Sequence, residues 1–448
     1  MWTILGNACP CGFGIRYKHY HGKLASAPTP AKSSLPPSMS LTDPAPDSLL
    51  RHRAFVLFWS ARVSSAFAFQ MVGVAMGWQM YALTGSALDL GLVGLVQFLP
   101  ATVLILIAGQ LADRYDRRRI AQVSQLVEGC AAAALAYGAF TGTTSKDLIL
   151  VAAFFLGAGR AGESPTMQTL LPAVVPTALF PRAVAASSAA QQVATITGPA
   201  VGGIIYALNP TAVYSICFVM FAAAAAQLAF LRYERAISRL PVTLTGFFAG
   251  ISYIRRNPIL LGILTLDLFA VLLGGAMALL PIFAKDVFDV GPIGLGILRA
   301  APAVGALLIT ASLTRWSFNR NVGRIEFITV ALFGVATIVF ASTGSFWLAW
   351  FALAVMGGAD AISVVIRLTL LQLETPDDMR GRVSAVNSLF VSMSNQIGDF
   401  RAGVVAALIG AVPAVLVGGI GTLLTVLLCM RLFPELYRVE GFHDKRAP

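Results

Sequence analysis

The stretch 109-GQLADRYDRRRI-120 ends one apolar run and precedes another. Between Asp113 and Arg119 it packs two aspartates and four arginines into seven positions. Such a cluster reads in three ways: a basic patch for nucleic acid, a stop signal at a membrane edge, or a working part of a machine that moves. The chain around it decides.

Of 448 residues, 57% are hydrophobic and 12% are charged. Soluble domains carry about 25% charged residues. With a mean hydropathy of +0.77, a water-soluble fold would expose too much apolar surface. The class is integral membrane protein. The net charge of +11 would suggest nucleic acid in a soluble domain. In a membrane protein, basic cytoplasmic loops explain it, so no nucleic-acid partner is expected. Cys130, Cys217 and Cys429 lie far apart in apolar segments, and Cys9-Pro-Cys11 is too short for a redox pair. No disulfide framework follows.

A spanning helix needs about 20 apolar residues. Such windows occur near 55–80, 88–111, 120–141, 148–172, 183–208 and 211–231, then near 259–283, 293–314, 324–343, 346–372, 384–409 and 412–433. That is two groups of six. The expected organisation is a disordered cytoplasmic extension over 1–50, a first bundle over 51–232, a linker over 233–258, a second bundle over 259–433 and a tail over 434–448. Residues 1–38 read as a dispensable extension before Met39, with no secretory signal peptide. In the linker, Leu244, Phe247, Phe248 and Ile251 form one apolar helix face. That helix could lie on the inner membrane surface or pack against the bundle.

Arginines orient the chain. Connections after even-numbered spans hold Arg114, Arg117, Arg118, Arg119, Arg182, Arg232, Arg255, Arg256, Arg320 and Arg380 among others; those after odd-numbered spans hold only Lys146 and Lys285. Both termini are therefore expected in the cytoplasm.

The halves repeat. Pro176 and Pro376 lie 200 apart (376 − 176), and Arg182/Arg382, Ser188/Ser388, Gly198/Gly398 and Gly203/Gly403 keep that offset. The segment 94-GLVQFLP-100 also matches 296-GILRAAP-302 at its Gly and Pro ends. Parallel six-span repeats are a transporter pattern.

With these residues on the page, the chain resembles the major facilitator superfamily, in the bacterial branch with enterobactin exporters and macrolide efflux proteins. The likeness covers about 51–440. Gly109, Leu111, Asp113, Arg114, Arg117 and Arg118 match that family's G-x-L-A-D-R-x-G-R-R signature between spans 2 and 3; Asp116 stands where the signature has glycine. Gly198, Pro199, Gly202 and Gly203 on span 5 resemble the core of its antiporter motif, although Ala194 occupies the place of an upstream glycine. The resemblance implies an all-α fold of twelve transmembrane helices in two pseudo-symmetric six-helix bundles. It also implies a central cavity lined by spans 1, 4, 7 and 10, and a signature that latches the cytoplasmic side. In that latch Asp113 would meet the start of span 11, while Arg114, Arg117 and Arg118 would reach the other half.

Ionisable residues inside spans are expensive and point to function. The basic ones are Arg62, Arg160, Arg299, Arg367 and Arg401; the acidic ones are Glu128, Glu163, Asp267, Asp360 and Asp399. Arg160 and Glu163 share a helix face at i, i+3. Asp360 and Arg367 share one at seven apart, and Arg160 and Asp360 occupy equivalent repeat positions that could face each other. Arg62, Arg160, Glu163, Asp267, Arg299, Asp360 and Arg367 are the candidate substrate and proton pathway. Asp267 and Glu163 are the leading proton carriers, because a carboxylate in a low-dielectric cavity can bind and release a proton. Glu128, Asp399 and Arg401 read as structural.

The four histidines fall outside the spans, and no catalytic, zinc-ligand or P-loop pattern is present. The expectation is a non-enzymatic secondary transporter without cofactor or metal, a monomer in the bacterial inner membrane. It would export a small organic molecule, siderophore-like or drug-like, in exchange for protons by alternating access. The alternatives are proton-coupled uptake of a small organic solute, or a lipid-flipping or receptor member of the same fold.

Overall fold

The computed structural model describes residues 49–114, 116–231, 244–315 and 320–442, with the backbone alone described at 50, 101–114 and 244–247. The expectations for 1–48, for the rest of the linker and tail, and for the side chains of Leu111, Asp113 and Arg114 lie outside the described residues, as does any role for Gly109 beyond its helical backbone.

Among the described residues, twelve long helices follow one another with no strand. Spans 1 to 6 are Arg53–Thr84, Ala87–Arg114, Arg117–Thr141, Lys146–Val174, Phe180–Leu208 and Pro210–Ala229. A linker helix, Leu244–Arg256, precedes spans 7 to 12: Pro258–Val287, Gly291–Leu313, Val322–Ser342, Phe346–Leu373, Arg380–Ile409 and Ala411–Leu432. Eight of these are long and apolar enough to cross a membrane by length and composition alone. Large apolar side chains such as Phe140, Leu208, Leu408 and Leu428 point outward, as a lipid-facing surface requires.

Local chemistry sets the helix ends. Asn209 and Asn257 each accept two backbone N–H groups of the following helix, and Pro210 and Pro258 take the first helical position. These are strong start signals, because proline there loses no intrahelical bond. Gly85 and Gly142 end spans 1 and 3 in the left-handed conformation, which glycine adopts without a Cβ clash. The result is one bundle end with short turns and an opposite end bearing the arginines.

Hydrophobic packing divides the molecule unevenly. At the short-turn end one core joins both halves, from Ala68, Met76 and Tyr214 to Leu280, Leu295 and Ala402. At the arginine end, among the described residues, each half keeps its own core. Phe55, Phe58, Leu170 and Leu228 form the first; Leu260, Leu266, Ile366 and Val383 form the second. The halves are thus fused at one end and separately packed at the other.

One element departs from the sequence reading, and a second takes one of two placements that it left open. Span 7 is not continuous: its helix stops at Gly274, and the chain continues through a 3-10 turn at Met277–Leu279 into a π turn at Phe283–Val287. Arg401 of span 11 donates to the carbonyls of Leu272 (2.9 Å) and Leu273 (2.5 Å), groups that the break leaves without helical partners. Such satisfaction is obligatory away from water. The linker helix packs Gly250 against Arg382 and Val386 of span 11, buries Ile254, and donates from the Tyr253 hydroxyl to the Glu374 carbonyl (2.6 Å). Of its two expected placements, it takes the one against the bundle.

Candidate functional site

Between the halves lies a cavity of about 300 Å³, at the lower end of the range for small-molecule sites. Its polar lining combines Arg160 and Arg299 with Asp399, Gln97 and Gln396, while Phe69 supplies an aromatic wall. Arg299 of span 8 reaches span 1, where its Nη1 donates to the Gly73 carbonyl at 3.4 Å. Cβ atoms added at Gly73 and Gly77 would stand 3.7 and 3.9 Å from the guanidinium, in ordinary van der Waals contact. The expectation that spans 1, 4, 7 and 10 line this cavity needs correction. Spans 2, 8 and 11 contribute, and none of the lining residues belongs to span 10. Fusion at the short-turn end brings span 2 onto span 11 and span 8 onto span 5, which turns those helices inward.

Arg160 belongs to two spaces. It also lines a neighbouring cavity of about 220 Å³ with Arg62, Glu163 and Gln191. Its Nη1 donates to Glu163 Oε2 at 2.7 Å, and its guanidinium lies 4.6 Å from the Phe69 ring centre. Glu163 Oε1 accepts from the Ser65 hydroxyl and from Gln125 Nε2 at 3.4 Å. This carboxylate is 2% exposed, yet donors from three spans satisfy it.

The second half differs. Asp267 pairs with Arg367, and both are buried. Beside them is a cavity of only about 10 Å³, lined by Asp267, Asp360, Thr329 and Ser363, close to the space of one water. Arg160 and Asp360 do not meet as their repeat positions suggested. Arg160 is taken by Glu163, and Asp360 turns into the pocket beside Asp267.

Two residues were misjudged from sequence. Asp399 reads as structural because Arg401, two positions on, faces elsewhere; in the fold it lines the central cavity. Glu326 is missing from the list of charged span residues. It falls inside the apolar window 324–343, and in the fold it is wholly buried in span 9. An acidic residue inside 325-IEFITV-330 was the available signal. With it the buried signs no longer balance.

The antiporter-like motif is an interlock. A Cβ on Gly203 would stand 2.3 Å from the Pro292 carbonyl of span 8, and a Cβ on Gly296 of span 8 would stand 2.5 Å from the Pro199 carbonyl. Gly198 and Gly202 meet Gln70 and Met71 of span 1. The short-turn end is tied further by Tyr81 of span 1, whose hydroxyl donates to Asp286 of span 7, with Lys285 above the Tyr81 ring.

At the other end Arg117 and Arg118 bind their own half. Arg118 Nη1 donates to the Leu231 carbonyl (2.8 Å), and Arg117 Nη1 to the Thr169 carbonyl (3.5 Å). Among the described residues, Arg117 and Arg118 do not make the cross-half contacts expected of them, and the cores at this end are separate. Asp116 has extended backbone, with φ −66° and ψ 119°, and accepts from the Arg118 N–H at 2.9 Å. It caps span 3 and never enters the left-handed region that the signature glycine suggested.

Two six-helix halves around a shared polar cavity define a transporter of the major facilitator fold. The family model described as transmembrane secretion effector matches residues 45–441, and the chain belongs to that family. It is 24% identical over 396 residues to macrolide efflux protein A of Streptococcus pyogenes, covering 84% of this chain and 94% of that protein. It is 24% identical over 407 residues to the enterobactin exporter EntS of Salmonella typhi, covering 87% and 95%. Among solved structures it is similar to a bacterial homologue of the human lysosomal transporter Spinster, inward-facing and unoccupied (TM-score 0.65, 14% identity, 87% of this chain and 97% of that one). It is also similar to an inward-facing bacterial homologue of the iron transporter ferroportin (TM-score 0.65, 16% identity, 88% and 100%).

Proposed function

We propose that this protein is a proton-coupled exporter of a small organic molecule, working by alternating access. The observation that carries the reading is the uneven core: one shared core at the short-turn end, two separate cores at the arginine end, and a mixed-charge cavity between them. Rocking the halves about that cavity would exchange which end is fused. With the arginines in the cytoplasm, both termini are cytoplasmic, the protein is a monomer of the bacterial inner membrane, and this conformation faces inward.

Arg160 and Arg299 hold acidic groups of the substrate, Asp399 a basic one, and Phe69 its apolar part. Glu163 and Asp267 carry protons. Each has a guanidinium partner that a conformational change can withdraw. A buried carboxylate that loses its counter-charge gains a proton. The similarity to a macrolide efflux protein and to an enterobactin exporter supports a drug-like or siderophore-like amphiphile.

The test is accumulation of erythromycin and of a catecholate siderophore in deletion and overexpressing cells, with and without a protonophore. Lower accumulation on overexpression, abolished by the protonophore, is the expected result. Higher accumulation on overexpression would establish uptake instead.

A further inference from the structure

We infer that Glu326 is a proton-binding site of the second half, joined through the Ser363 hydroxyl to the Asp267–Asp360 pocket. This deepens the proton-coupled reading, which names only Glu163 and Asp267 as carriers.

Glu326 is wholly buried in span 9. One oxygen, Oε1, accepts from Ser363 Oγ at 2.6 Å. The other, Oε2, is buried with no hydrogen-bond partner. An ionised carboxylate left in that state would forfeit solvation worth several kcal/mol. A carboxylic acid fits it better: the carbonyl oxygen takes the serine hydroxyl, and Oε2 carries the hydrogen.

Charge bookkeeping agrees. The charged groups around Glu326 are Asp267 on span 7 and Asp360 and Arg367 on span 10. The short terminal helix Pro434–Tyr437 also packs on span 9, placing Tyr437 against Phe327 and Arg324. Arg367 is already committed to Asp267. Three carboxyl groups therefore share one buried guanidinium, and a neutral Glu326 removes one excess charge.

Ser363 also supplies a route. It lines the water-sized cavity that holds Asp267 and Asp360, and it donates to Glu326. With the carboxyl proton on the oxygen that faces Ser363 and the serine hydroxyl turned to the cavity, Glu326 can donate to Ser363 Oγ, which gives up its own proton to a cavity water as it takes this one. The proton ends on Asp360 or Asp267, so the number of protons in the cluster is unchanged. Withdrawal of Arg367 from Asp267 would drive this transfer, since Asp267 then needs a counter-charge.

Infrared difference spectroscopy of the purified full-length protein, titrated across pH in detergent, tests the site without transport. A protonated-carboxyl stretching band should be present in the wild type and lost in Glu326→Gln, whose amide keeps the acceptor for Ser363. In Ser363→Ala, which keeps the carboxyl but removes a donor, the band should shift. The exposed Glu435→Gln should leave it in place. A wild-type band surviving unchanged in both Glu326→Gln and Ser363→Ala overturns the proposal. In proteoliposomes, Glu326→Gln should lose at least tenfold of pH-gradient-driven erythromycin transport while keeping erythromycin exchange; intact gradient-driven transport in a folded variant removes Glu326 from the coupling route. If the wild type itself shows no gradient-driven transport but the infrared band behaves as stated, the proton-coupled reading fails and the proton site stands.

Discussion

The two charge clusters of the halves occupy related places and behave differently. In the first half, Arg160 and Glu163 face cavities, and the arginine side chain is 31% exposed. In the second, Asp267 and Arg367 are sealed, with side chains 8% and 4% exposed. A pair at a cavity edge can exchange its partner for water, substrate or a proton at modest cost. A sealed pair cannot, because losing one member strands the other in a low dielectric. The first cluster is thus suited to answer the substrate, and the second to hold until the helices themselves move.

That contrast is open to measurement. Arg367→Met alone should lower stability by about 3–5 kcal/mol, with much of the loss recovered when Asp267→Leu is added. Thermal unfolding of the purified protein reads this. Arg160→Met should cost clearly less; equal losses in the two halves would break the comparison.

Next in size is the joined end. Gly296→Val places atoms against the Pro199 carbonyl. Overpacking of this kind costs about 1–3 kcal/mol, and here the cost falls only on the conformation in which spans 5 and 8 touch. Labelling of a cysteine introduced at Tyr81 should rise accordingly. Unchanged labelling would mean that this interlock does not hold the end shut.

Smaller effects are expected at the signature. Asp116→Ala removes a helix cap and should cost about 1 kcal/mol, whereas Asp116→Gly, the residue of the family signature, should cost only about a few tenths. The comparison is made by chemical denaturation. A larger loss for glycine than for alanine would refute the capping role. Smallest of all, Arg160→Lys keeps the charge but weakens the stack on Phe69, about 0.5–1 kcal/mol. It should weaken binding of an anionic aromatic substrate a few-fold by equilibrium titration, with stability unchanged.

Much of the fold was legible because lipid imposes long-range rules on local sequence. Span number, repeat and membrane class follow from apolar windows, from the offset of 200 and from the placement of arginines. Pairing was less legible. Arg160 with Glu163 follows from i, i+3 spacing, which lies within one helix. Arg367 with Asp267 joins residues 100 apart (367 − 267) on different spans, and the nearer sequence partner of Arg367 was Asp360. Arg401 shows the same limit. Its purpose is to satisfy carbonyls freed by a break in span 7, and neither the break nor its neighbour is visible from residue 401 alone.

The stretch 109-GQLADRYDRRRI-120 divides along that line. Its sequence by itself determined that this is a turn between two membrane helices, since the hydrophobic windows on either side must end there and the arginines cannot enter lipid. Only the tertiary structure decided that Asp116 is a helix cap and that Arg117 and Arg118 hold carbonyls of their own half. Hydrophobicity and charge are properties of each residue and can be read in order along the chain. A hydrogen-bond partner is a property of what the packed helices bring within about 3 Å, and the sequence does not write that distance down.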